Sequence, residues 1–157
     1  FNNKIFDHIE KISLSKRGEY EITDAIKLSL ESDDIVDTQI IDGWWVDTGN
    51  IIDYLKANEY KLISNKDSQD IKKIKAQRTT IDSFSYASTN SELLESQIIN
   101  YTSIGENVNI LNSVVENCVI LGGSKIENYQ LKNCILSKGT SLINMGPDRK
   151  IIENKII

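Results

Sequence analysis

Two hydrophobic periods divide the chain. Up to about residue 63 apolar side chains recur at helical steps, with Ile5, Phe6, Ile9 and Ile12 in IFDHIEKI, then Ile22, Ile26 and Leu30 in ITDAIKLSLES. This spacing predicts two short amphipathic helices. Between them SKRGEYE holds one glycine and four charged residues, which makes it a loop. β-Branched and aromatic residues around a glycine in DTQIIDGWWVD predict two short strands or one strand with a bend. A third helix follows, with Asn50 as its cap and Ile51, Tyr54, Leu55, Asn58 and Leu62 as a mostly apolar stripe. From Ser64 to Thr80 the chain turns polar and basic with one weak helical pattern, and reads as a connector between domains.

The second period is a repeat. Residues 98 to 145 fall into blocks of 16, IINYTSIGENVNILNS, VVENCVILGGSKIENY and QLKNCILSKGTSLINM. Ile104, Ile120 and Leu136 form one column, Ile110, Ile126 and Leu142 a second, and Ile98, Val114 and Gln130 a third. Small side chains stand four residues after most of these: Thr102, Val108, Cys118, Ser124, Cys134 and Thr140. The steps of six, six and four make a hexapeptide repeat with one shortened side. Corners fall at Tyr101, Asn117 and Asn133, then at Asn107, Gly123 and Gly139, and apart from Tyr101 these residue types tolerate positive φ. Asn112, Asn128 and Asn144 mark the shortened side. Coils stacked at about 4.8 Å would lay identical columns into ladders, which is a parallel β-helix. Gln130 breaks the apolar pattern, and the neighbouring Leu131 can take its place. Cys118 and Cys134 sit at small inward positions, where a thiol behaves as a small hydrophobe.

Composition narrows the function. With 157 residues, 39 % of them apolar and 26 % charged, the chain suits one domain or two small ones. A net charge of −5 argues against sequence-independent binding to nucleic acid or anionic lipid. Nothing approaches the roughly 18 to 20 apolar residues of a membrane span, and the first residues lack a signal-peptide core, so a cytoplasmic location is expected. Two cysteines and a distant His8 do not make a structural zinc site. Phe1 is first and Met145 is the one methionine, so the expectation is a piece of a longer protein.

GWWVDTG, residues 43–49, carries the candidate chemistry. An Asp-Thr-Gly triplet also occurs in aspartic proteases, but there the turn leads into more strand, whereas Asp47 precedes a helical pattern. SKRGEYEITDAI, then GWWVDTG, then hexapeptide coils resemble, in that order, the sugar-1-phosphate nucleotidylyltransferases, in particular long archaeal-type glucose-1-phosphate thymidylyltransferases. The resemblance implies an α/β plus all-β chain: residues 1–63 as the carboxy-terminal part of a Rossmann-like nucleotidyltransferase domain, 64–80 as connector, and 81–157 as a left-handed β-helix. It implies a reaction in which a sugar 1-phosphate attacks the α-phosphorus of a nucleoside triphosphate, dTTP by family preference, releasing pyrophosphate and dTDP-glucose. Asp47 would then be one of two aspartates holding Mg2+, a hard cation that takes few protein ligands. Arg17 would bind the sugar phosphate. Trp45 would lie near the nucleotide, with a core position as the open alternative. Glu19, Glu21 and Asp24 are expected to set loop geometry and cap the helix from Ile22. The family's glycine-rich nucleotide loop and first metal aspartate have no counterpart here, so the chain alone is expected to be inactive. A homo-oligomer built through the β-helix is expected. Two other readings stand beside this one: a non-catalytic assembly or regulatory module, and a hexapeptide acyltransferase, which would want a histidine base that the coils lack.

Overall fold

In the computed structural model, which describes residues 1–65 and 74–157, the chain forms two units, Phe1–Gly43 and Trp44–Ile157. The centre of the connector, residues 66–73, with the weak helical pattern expected there, lies outside the described residues.

The first unit holds α1 (Lys4–Ile9) and α2 (Ile22–Glu31), as the periodicity predicts. Their buried faces differ from the expected stripes. α1 buries Ile5 and His8, and α2 buries Ala25 and Ser29, so small side chains let the two helices meet. Phe6, Ile22 and Leu30 remain exposed. His8 is satisfied by Asp34, its Nε2 lying 2.7 Å from Oδ2, while Lys4 Nζ donates to Oδ1 at 2.9 Å. The strands expected in residues 37–47 do not form. A strand exists only through a hydrogen-bonding neighbour, and this segment has none among the described residues. Its isoleucines stay in solvent, Ile40 at 93 % and Ile41 at 60 % exposure.

In the second unit α3 (Ile51–Ser64) starts as the sequence predicts, with Asn50 Oδ1 accepting from Asp53 N at 3.0 Å. The coils follow as three parallel sheets. The first contains β1 (Lys75–Gln77), β4 (Glu92–Leu94), β7 (Asn109–Leu111), β10 (Lys125–Glu127) and β13 (Ser141–Ile143). The second contains β2 (Thr80–Ile81), β5 (Gln97–Ile99), β8 (Val114–Glu116), β11 (Tyr129–Lys132) and β14 (Lys150–Glu153). β3 (Tyr86–Ala87), β6 (Ser103–Ile104), β9 (Val119–Ile120) and β12 (Ile135–Leu136) make the third. Each strand pairs with the one three places on, which is a parallel β-helix. The stack begins at Lys75, inside the stretch read as connector.

Two of the sequence columns are observed in register: Ala87–Ile104–Ile120–Leu136 and Leu93–Ile110–Ile126–Leu142. The third needs correction. It runs Ile81–Ile98–Val115–Leu131–Ile152, so Val114 and Gln130 face outward. Leu131 does replace Gln130, but Val115 also replaces Val114, and the later coils step six, five and five rather than six, six and four. A strand alternates its side chains, so a one-residue slip exchanges inside for outside. The extra residue of the earlier coil sits at its corner, where Asn100 and Tyr101 both take positive φ (54° and 59°); Asn117 alone does so one coil later. Asn107, Asn117, Asn133, Gly123 and Gly139 all have positive φ, as expected, and so do Asn112 and Asn128. Asn144 does not, and instead anchors the following loop by donating to Asp148 O at 2.6 Å.

The small inward positions do more than save space. Past a corner the next N–H has turned away from the ladder and would be buried unpaired. Thr102 Oγ1 accepts from Cys118 N (3.2 Å), Cys118 Sγ from Cys134 N (3.3 Å), Ser96 Oγ from Ser113 N (3.1 Å) and Ser113 Oγ from Tyr129 N (3.1 Å). Each side chain thus satisfies the coil that follows. Outside the corners Asn117 donates to Asn133 (2.8 Å) and Asn133 to Asn154 (2.9 Å), an amide ladder along the stack.

The one polar member of the α3 stripe locks the helix to the coils. Asn58 Nδ2 donates to Tyr101 O at 2.6 Å, and its Oδ1 accepts from Ser103 Oγ at 2.5 Å. Leu55 and Leu62 are buried on the same helix. Its first turns and the corner asparagines Asn117, Asn133 and Asn154 line a groove of about 480 Å³.

Candidate functional site

Arg17 projects from the loop that SKRGEYE predicts. The loop closes on itself: Gly18 N donates to Ser15 O and Ser15 N to Glu19 O, both at 2.9 Å, with Gly18 at φ +76° where a β-carbon would be strained. Ser15 Oγ accepts from Arg17 N at 3.2 Å and donates to Glu21 Oε1 at 3.1 Å. The same Oε1 accepts from Arg17 Nε (3.0 Å) and Nη2 (2.6 Å). The Arg17 guanidinium holds the Glu21 carboxyl below its usual range, helped by the Ser15 hydroxyl, and Glu21 in turn raises Arg17. Glu21 was expected to cap α2. It occupies the N-cap position, but its side chain makes no capping bond because the arginine has taken it.

Asp47 lies in an exposed turn between extended chain and α3. Gly49 N donates to its Oδ1 at 3.2 Å, an Asx turn. Among the described residues that is its one protein hydrogen bond, which leaves Oδ2 and the remaining lone pair of Oδ1 directed outward. Asn50, three residues on, caps α3, so the acid sits in the turn that leads into that helix. Trp45 is 72 % exposed; it is Trp44 that packs, its ring centroid 5.4 Å from that of Tyr60 at 36°. The core alternative for Trp45 is therefore not observed.

Arg17 belongs to the first unit and Trp45 and Asp47 to the second. Among the described residues no group of three or more His, Cys, Asp or Glu side chains converges as a metal cage. A lone outward carboxylate still fits magnesium, which keeps most of its waters and takes one or two protein carboxylates. His8 is buried against Asp34 and fits a structural role rather than that of a base. Cys118 and Cys134 donate to the carbonyls of Glu116 and Lys132, both at 3.1 Å, and hydrogen bonding with the Cys134 thiol, together with burial, pushes the Cys118 thiol up, away from reactivity.

The nucleotidyl transferase family model matches residues 1–63, the segment that carries both the Arg17 loop and the Asp47 turn. These residues are similar to that family. The chain is 31 % identical over 168 aligned residues to a low-salt glycan biosynthesis nucleotidyltransferase of Haloferax volcanii, covering 90 % of this chain and 45 % of the relative. It is 28 % identical to a glucose-1-phosphate thymidylyltransferase of Streptomyces griseus, covering 90 % and 40 %. A shorter match, 43 % identical over 72 residues, joins 46 % of the chain to 17 % of a bifunctional protein GlmU from Methanocaldococcus jannaschii. The chain thus spans less than half the length of the curated relatives it matches, over their carboxy-terminal part. Residues matched to nucleotidyl transferases followed by a parallel β-helix are consistent with a nucleotidyltransferase-domain fragment ahead of a left-handed β-helix. Missing from the sequence reading was the partner of Arg17. The signal for it was the four-residue spacing of Arg17 and Glu21, an offset that brings opposite charges together in helices and tight loops.

Proposed function

We propose that the chain supplies the sugar-phosphate and metal side of an enzyme that joins a sugar 1-phosphate to a nucleoside triphosphate and releases pyrophosphate. The observation that carries the reading is the Asp47 turn: an exposed carboxylate, half engaged by its own backbone and half free, at the start of α3 within residues matched to nucleotidyl transferases. dTTP and glucose 1-phosphate are the substrates proposed, on the names of two Streptomyces relatives. The nucleotide loop and a second metal aspartate are assigned to residues outside this chain.

In-line displacement at phosphorus depends on positioning and charge neutralisation more than on covalent help. Magnesium, when bound, would neutralise the crowded phosphates. Asp47 would hold it from one side, and Arg17 would orient the attacking sugar phosphate by charge-assisted hydrogen bonds. Trp45, exposed two residues before Asp47, is available to cover the nucleotide. Cytoplasmic location is part of the proposal; no helix among the described residues is long and apolar enough to cross a membrane. Assembly of identical copies through the coils is proposed too, on the outward Leu94, Leu111 and Ile143 of the first sheet. Sedimentation of this chain at micromolar concentration should show a dimer or trimer, and a clean monomer would move assembly elsewhere.

The test of function uses the longer protein that carries this chain. It should release pyrophosphate from dTTP in the presence of glucose 1-phosphate, and Asp47→Asn should lower turnover at least about a hundredfold with an unchanged melting temperature. Near-normal turnover in a folded Asp47→Asn enzyme would reduce the acid to turn chemistry.

A further inference from the structure

We infer that Glu21 is a positioning residue: it clamps one edge of the Arg17 guanidinium so that the opposite edge is presented to a sugar phosphate. This rests on the proposed role of Arg17 as phosphate ligand. A guanidinium offers five N–H donors in a plane. Glu21 Oε1 takes the Nε hydrogen and one Nη2 hydrogen, which lie along one side of that plane. What remains is the other Nη2 hydrogen and the two on Nη1, the pair-wise edge that matches two phosphate oxygens. Ser15 makes the clamp rigid, since its hydroxyl binds both the carboxylate and the backbone N–H of the arginine being oriented. The clamp is tucked in and the arginine is out: the Glu21 side chain is 24 % exposed and that of Arg17 72 %. Glu21 also gives up the helix cap that its position would otherwise allow, so the local sequence spends its one well-placed acceptor on the arginine.

Two effects of removing Glu21 oppose each other. Loss of its negative charge favours any anion beside Arg17, whereas loss of the clamp frees a side chain with many rotamers. Glu21→Gln separates them, because it removes the charge while keeping an acceptor oxygen for the clamp.

The experiment is a titration of the isotopically labelled chain with inorganic phosphate and with glucose 1-phosphate at about 0.15 M salt. The Arg17 side-chain NMR signals are resolved against those of Arg78 and Arg149, with the Gly18 amide as a second probe. Glu21→Ala should raise the half-saturation concentration several-fold, and Glu21→Gln, which keeps an acceptor oxygen, should restore much of it. Slow solvent exchange of the Arg17 Nε–H should be lost in Glu21→Ala. Tighter phosphate binding by Glu21→Ala would make Glu21 a competitor and overturn the inference. An unchanged Gly18 titration in Arg17→Ala would overturn the phosphate role of Arg17 and the inference with it. Retained Nε–H protection in wild type identifies that case as a failure of the function, not of the clamp.

Discussion

The two units make opposite use of similar apolar residues. In the coils Ile98, Ile104, Val115, Ile120 and Leu131 are sealed, because each has an apolar side chain in register above and below. In the first unit Phe6, Ile22, Ile35 and Ile40 are no less apolar and lie in solvent. A repeat carries its own burial partners at a fixed distance along the chain. An α/β segment depends on strands that other parts of the sequence supply.

The sharpest way to break this contrast is to charge one isoleucine in each unit. Ile120→Asp puts an unpaired carboxylate in the middle of a continuous ladder and should cost about 4 kcal/mol or more, enough to unfold the stack, whereas Ile40→Asp should change stability by no more than about 0.5 kcal/mol. Thermal melting reads both, and an unaltered melt of Ile120→Asp would refute the register. The corrected third column is tested next: Leu131→Ala should cost about 2–5 kcal/mol in urea unfolding and Gln130→Ala next to nothing. Equal effects would restore the uncorrected column.

Asn58→Ala should come third. It leaves the Tyr101 carbonyl and the Ser103 hydroxyl without their partner, a loss of about 1–3 kcal/mol, and faster amide exchange should appear in α3 before it appears in the coils. The smallest effect lies in the first unit. Lys4, then His8, hydrogen-bond Asp34 and hold its carboxyl below the usual range. A depressed carboxyl stabilises above its unfolded-state pKa and loses that stabilisation as pH falls through the folded value. Helicity of the first unit should therefore fall as pH drops below about 4, and Asp34→Asn should flatten that dependence. An identical acid profile in the variant would place the acid sensitivity elsewhere.

Most of the stack was legible because its period is written in isoleucines and asparagines. The third column misled because Val114 and Val115 are both valine: identity of side chain cannot tell inside from outside where alternation alone decides, and the corner residue that shifts the count, Asn100, looks like every other corner. Residues 37–47 misled for another reason. Strand propensity was present in Ile40, Ile41 and Trp44, but no neighbour among the described residues offers a ladder. Arg17 and Asp47 were singled out from motif order, and the Asx turn at Asp47 follows from its Thr-Gly context. The Glu21 clamp was hidden behind an equally sound reading of the same residue as a helix cap.

The registers also bear on how fast the protein reaches its shape. Parallel strands ordinarily wait for a long crossover to close, which makes them slow to pair. Here Ile120 meets Ile104 and Leu136 only 16 residues away in either direction, about a tenth of the chain length. That separation falls in the range of helical bundles rather than of sandwiches. An all-parallel sheet so wound should assemble by propagation, each finished coil serving as the template on which the next sixteen or seventeen residues condense, or twenty-one in the last coil.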